Sequence, residues 1–113
     1  MAVDFPSASR DNVEMDVEFA DDALDQLETD ARFAAGHSQA IVKGFRKRMQ
    51  MIRAAHDERD LYQNKGARFE RLKGKRAGQC SVMLTGNWRL IIELIKEKNG
   101  QAVVKVVEIV DYH

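Results

Sequence analysis

A single cysteine, Cys80, in 113 residues excludes an internal disulfide. Secreted domains of this size often carry paired cysteines, so this usage favours a reducing cytoplasm. No apolar run approaches the roughly 18 residues of a membrane-spanning helix, and no membrane association is expected. Met1-Ala2-Val3-Asp4-Phe5-Pro6 lacks the basic start and apolar core of a signal peptide. Neither a His-x-x-x-His spacing nor a cysteine pair is present, so no metal site and no cofactor are expected. Lys73-Gly74-Lys75-Arg76-Ala77-Gly78 is basic and rich in glycine, but it lacks the Gly-Lys-Ser/Thr ending and the strand-to-helix setting of a nucleotide-binding P-loop.

Net charge is also lacking, with 18 basic residues against 18 acidic ones. The balance hides a division. From Met1 to Ala35, Asp4, Asp11, Glu14, Asp16, Glu18, Asp21, Asp22, Asp25, Glu28 and Asp30 face only Arg10 and Arg32. Lys43, Arg46, Lys47, Arg48, Arg53, Arg59, Lys65, Arg68, Arg71, Lys73, Lys75 and Arg76 supply most of the opposing charge. Two readings fit equally: a basic nucleic-acid-binding face, or helical faces of opposite sign that pair with each other.

The chain length suits one domain with its own core, residues 13–113 after a flexible leader at 1–12. Val13 to Phe19 alternates apolar and acidic residues, which predicts a strand with one buried face. Asp21 or Asp22 can cap a helix carrying Ala20, Ala23, Leu24, Leu27, Ala31 and Ala34 as far as Gly36. Ser38 opens a second helix with Ile41, Val42, Phe45, Met49, Ile52 and Ala55 on one side. A polar connection is expected over 57–66, then short strands at 67–72 and 79–84. Trp88 to Ile95 and Ala102 to Val110 flank a Lys98-Asn99-Gly100-Gln101 turn and read as central strands, apolar on both faces. The expected fold is α+β: an N-terminal strand and a two-helix hairpin packed on one face of a mainly antiparallel sheet, with the other face open to a ligand.

Asp111, Tyr112 and His113 follow the last strand and could work as an acid/base cluster if Lys73, Arg76 and Arg89 meet them. Arginine's planar donors suit two phosphate oxygens at once. Alternatively, Trp88 is a core residue and Arg89 bridges a surface acid such as Glu108. His37 and His56, near helix ends, read as surface or capping residues, and Cys80 as a small core residue.

Leu72-Lys73-Gly74-Lys75-Arg76-Ala77-Gly78, Ser81, Asn87-Trp88-Arg89 and Glu108-Ile109-Val110-Asp111-Tyr112-His113 together resemble the RelE/HigB-type toxins of bacterial toxin-antitoxin systems. The resemblance implies a RelE-like fold and a cytoplasmic, ribosome-dependent, metal-independent endoribonuclease that cuts messenger RNA by 2'-hydroxyl attack. It also implies a helix-turn-helix antitoxin as partner. Lys73, Arg89, Asp111, Tyr112 and His113 would then be catalytic, and Arg71, Lys75 and Arg76 would bind RNA. A non-enzymatic ParE-type gyrase inhibitor and an inactive antitoxin-binding module are the alternatives. The chain departs from the family pattern at Met83 and Thr85, where members often carry an arginine, and at Cys80, where they often carry an aromatic. Some members also have a histidine near Glu70.

Overall fold

A computed structural model describes residues 15–96 and 102–112; the expected leader, the Asn99-Gly100 turn and His113 lie outside these. Five strands form one sheet: β1 (Asp16–Phe19), β2 (Glu70–Arg71), β3 (Gln79–Thr85), β4 (Trp88–Lys96) and β5 (Ala102–Asp111). Their spatial order is β1-β5-β4-β3-β2, with β1 parallel to β5 and the other pairs antiparallel. Helices α1 (Asp22–Thr29), α2 (Gln39–Ala54) and α3 (Glu58–Gln63) all fall between β1 and β2. This is the expected α+β arrangement, and β4 and β5 are both interior, as strands apolar on two faces require.

Residues directly opposite in paired strands share a face. One face therefore carries Cys80, Val82 and Leu84 of β3, Leu90 and Ile92 of β4, and Val104, Val106 and Ile109 of β5, all packed in the core with α2. The other carries Gln79, Ser81 and Met83, then Arg89, Ile91 and Glu93, then Lys105, Glu108 and Val110. The register shifts between Met83 and Thr85 and between Ile91 and Ile92, marking a bulge or irregularity at each place.

Ser38 Oγ accepts the Ile41 N–H at 3.3 Å to start α2, and Ile41, Val42, Phe45, Met49 and Ile52 bury its predicted face. Asp21 Oδ1 caps α1 through Leu24 N–H at 2.9 Å, as expected. The helix stops at Thr29, however, short of the predicted end near Gly36. Two contacts explain the early stop. The Asp30 carboxylate takes the Arg32 N–H at 3.0 Å, drawing the backbone into a turn. Arg46 of α2 then donates to the carbonyls of Leu27 at 3.0 Å, Asp30 at 2.9 Å and Phe33 at 3.2 Å, so the exposed helix end needs no further turn.

The expected connection over 57–66 instead contains α3, started by Asp57 accepting the Arg59 N–H at 3.0 Å and anchored by fully buried Leu61. The strand expected over 67–72 shrinks to Glu70–Arg71, because Ala67 closes a 3-10 turn and Arg68 is left-handed, with φ 48°. A left-handed residue cannot continue an extended strand.

Helix α2 comes close to β3 at Gly44, where a Cβ would lie 2.6 Å from the Leu84 carbonyl oxygen. Gly44→Ala should therefore destabilise the protein by about 1–3 kcal/mol through overpacking, although alanine is the better helix former. Denaturant unfolding checks this; a midpoint unchanged or raised would show that α2 can lift off β3 freely.

Candidate functional site

The β3–β4 turn gathers one group of predicted residues. Arg89 Nη1 donates to the Gly86 carbonyl at 2.9 Å and to the Trp88 carbonyl at 3.3 Å, curling the guanidinium back over the turn. The Tyr112 N–H donates to the Asn87 carbonyl at 2.8 Å, which ties the chain's end to the same turn. Asp111 pairs with Trp88 in the β4–β5 register, and the Tyr112 side chain is exposed. The structure thus brings Arg89 and Tyr112 to one end of the sheet; Asp111 reaches the same end but, opposite Trp88, falls on the helix side of the sheet, the face away from Arg89. The Arg89–Glu108 bridge raised by the sequence does not form; Glu108 pairs with Arg76 instead, at 3.1 Å.

Lys73 and Lys75 are exposed on the β2–β3 connection, before β3 begins. Met83, the partner of Arg89, lies four residue steps along β3 from Gln79, so Lys73 lies roughly 13 Å or more along the sheet from the Arg89 level. Arg76 spans part of this interval. Its Nη1 donates to Gln79 Oε1 at 2.9 Å and meets Glu108 Oε2, so the guanidinium crosses β4 from β3 to β5. Beneath it, Ser81 and Ile91 are completely buried, and Ser81 Oγ has no hydrogen-bond partner among the described residues. The centre of the expected open face is therefore roofed by an arginine.

Arg71 does not join this group. It pairs with Cys80 in the β2–β3 register, which puts it on the helix side of the sheet, and it forms an ion pair with Glu58 of α3. Hydrogen bonding and charge from Glu58 raise its pKa further. An arginine committed to a carboxylate on the far face is not available to the Arg76–Arg89 surface. Charge counting along the chain could not reveal this, because sidedness in a two-residue strand depends on its register.

Sequence reading also passed over Gln79 and Glu93, and took His37 for a surface or capping residue. Gln79 Nε2 donates to Glu93 Oε2 at 2.9 Å, linking the Arg76 contacts across β3 and β4. His37 packs edge-on against Trp88, with ring centroids 6.1 Å apart, beside a cleft of about 270 Å³ bounded by α1 and β5. The alternation of β3 and β4 was the available signal for Gln79 and Glu93, since both fall on the polar side of their strands.

A mixed five-stranded sheet with its helices on one side is the architecture of the RelE-like toxins. A solved structure described as a YoeB/ParE toxin from Agrobacterium tumefaciens shares it, with a TM-score of 0.52 and 18% identity, over 88% of this chain and 99% of that one. A family model described as the RelE-like toxin of type II toxin-antitoxin system HigB matches residues 17–113. Toxin HigB-1 of Vibrio cholerae serotype O1 is 31% identical over 81 residues, covering 72% of this chain and 85% of that protein. The chain belongs to the HigB family of RelE-like toxins, so it is the toxin of a type II system and has an antitoxin partner.

Cys80 is 2% exposed, and burial pushes its thiol pKa up despite the opposing field of Arg71. The thiolate is the reactive form, so folded protein should react with a thiol reagent at pH 8 at least tenfold more slowly than unfolded protein. Timed labelling with and without denaturant measures this. Equal rates would place Cys80 at the surface.

Proposed function

We propose that this toxin is a ribosome-dependent, metal-independent endoribonuclease of the cytoplasm that cuts messenger RNA and so stops translation, neutralised by a helix-turn-helix antitoxin. The observation that carries the reading is the joint attachment of Arg89 and Tyr112 to the β3–β4 turn, in a chain of the HigB family. RNA would run along the face that bears Arg76 and Arg89. Lys73 and Lys75 would hold neighbouring phosphates at the far end of β3.

In this reaction the substrate's 2'-hydroxyl attacks the adjacent phosphorus and the bond to the 5'-oxygen breaks, leaving a cyclic phosphate and a 5'-hydroxyl. One proton leaves the attacking oxygen and another reaches the leaving oxygen. Tyr112 and His113 are assigned to these transfers, with Asp111 orienting them from the helix side of the same sheet end. Negative charge builds on the nonbridging oxygens, where the planar fork of Arg89 fits two acceptors at once. A fixed donor aimed at developing charge typically contributes about 10²- to 10³-fold in rate, and positioned acid/base groups about 10²- to 10⁴-fold.

Mapping RNA ends in translating cells that express each variant tests the assignment. Arg89→Ala should lower cleavage by about 10²- to 10³-fold, and deletion of His113 by about 10²- to 10⁴-fold. Arg71→Ala, on the opposite face, should cleave like the wild type. Equal cleavage by wild type, Arg89→Ala and the His113 deletion would overturn the site. Inhibition of gyrase supercoiling without any RNA cleavage would overturn the enzyme reading.

A further inference from the structure

We infer that Gln79, Glu93 and Glu108 are positioning residues that hold Arg76 ready for an RNA phosphate, an inference that rests on the RNA-cleaving reading above. The network spans three strands. Glu93 on β4 accepts from Gln79 Nε2 at 2.9 Å. Because a carboxylate can only accept, this bond fixes which way the Gln79 amide points. Gln79 Oε1 therefore faces Arg76 Nη1 at 2.9 Å, and Glu108 on β5 meets the same nitrogen at 3.1 Å.

Both restraints fall on Nη1. Nε and Nη2 make no hydrogen bond among the described residues, which leaves the edge of the guanidinium that suits two phosphate oxygens. The side chains of Arg76 and Glu108 are 37% and 47% exposed, so the site is open to a strand crossing the face. An arginine on a glycine-punctuated connection would otherwise sample many rotamers and lose that freedom on binding. Held from β3 and β5, it starts in the bound direction. The ion pair alone is too exposed to matter much for stability, so the arrangement is better explained by orientation than by folding energy.

The salt dependence of RNA binding separates positioning from ordinary packing. Each phosphate contact on a single strand contributes about 0.7 to the slope of log K against log salt. With a 2'-O-methylated RNA oligonucleotide as an uncleavable probe, Arg76→Ala should lower that slope by about 0.7. Gln79→Ala carries no charge change, yet should lower it by a similar amount. Glu93→Ala, which frees the Gln79 amide to rotate, should do the same, whereas Glu93→Gln, which still offers an acceptor, should restore the wild-type slope. The Arg76→Ala, Gln79→Ala double variant should fall no further than Arg76→Ala alone.

A full slope in Gln79→Ala and Glu93→Ala, with a reduced slope in Arg76→Ala, overturns the network. A full slope in Arg76→Ala overturns the phosphate contact as well. RNA-end mapping with the same proteins keeps the two levels apart. Wild-type cleavage with unchanged Gln79→Ala slopes removes only the positioning role. Absent wild-type cleavage removes the nuclease reading, and the slopes still decide whether Arg76 is held for a phosphate.

Discussion

The seating of α2 on β3 is the contact from which the sidedness of the molecule follows. At Gly44 the helix backbone comes so near the Leu84 carbonyl that no side chain fits between them. One turn later, Arg48 inserts a guanidinium that is almost wholly buried, donating to the Met83 carbonyl at 2.7 Å and the Gly66 carbonyl at 2.9 Å. Burial lowers its pKa, but an arginine keeps its charge, and the two carbonyls satisfy donors that would be costly to leave without partners. Arg48 thereby covers the edge of β3 beyond the short β2, where an exposed carbonyl could recruit another strand. With one face closed by α2, polar chemistry is confined to the other.

Much of this was legible in the sequence where a single period governs a segment. The alternation around Val17 and Phe19, the apolar stripe from Ile41 to Ile52 and the two-sided apolar strands β4 and β5 all report local geometry, and each element formed, the first as Asp16–Phe19 within the described residues. The rest depends on distant residues. Arg46 ends α1 from sixteen residues beyond Asp30, against the expected run to Gly36, and the parallel neighbour of β1, left unassigned by the sequence, comes from the far end of the chain. No pattern in residues 20–36 encodes the first, and order along the chain does not encode the second.

Of the two readings of the charge division, the pairing of opposite signs describes the helical side of the molecule. Arg53 of α2 pairs with Glu28 of α1 at 2.6 and 2.7 Å, so this part of the basic run offsets charge in the acidic first third, while Arg46 is spent on backbone carbonyls at the end of α1. Arg71 is likewise taken by Glu58. Lys73, Lys75, Arg76 and Arg89 remain on or around the other face. The zero net charge thus reflects internal pairing on the helical side more than a neutral surface over the candidate site, and a local positive field can persist there within a Debye length of about 8 Å at physiological salt.

The same sidedness changes the meaning of the departures from the family pattern. Cys80 lies on the buried face, under α2 and opposite Ile92, so an aromatic there would pack into the core; its absence removes no stacking ring from the Arg76–Arg89 face. Met83 is different. It stands directly opposite Arg89 on the polar face, where a second arginine would sit beside the first. Like charges directly opposite in a sheet repel, unless an anion lies between them. A methionine there leaves Arg89 without a rival and free to fold back on the Gly86 and Trp88 carbonyls, while Arg76 reaches over the same face from the β2–β3 connection to Glu108.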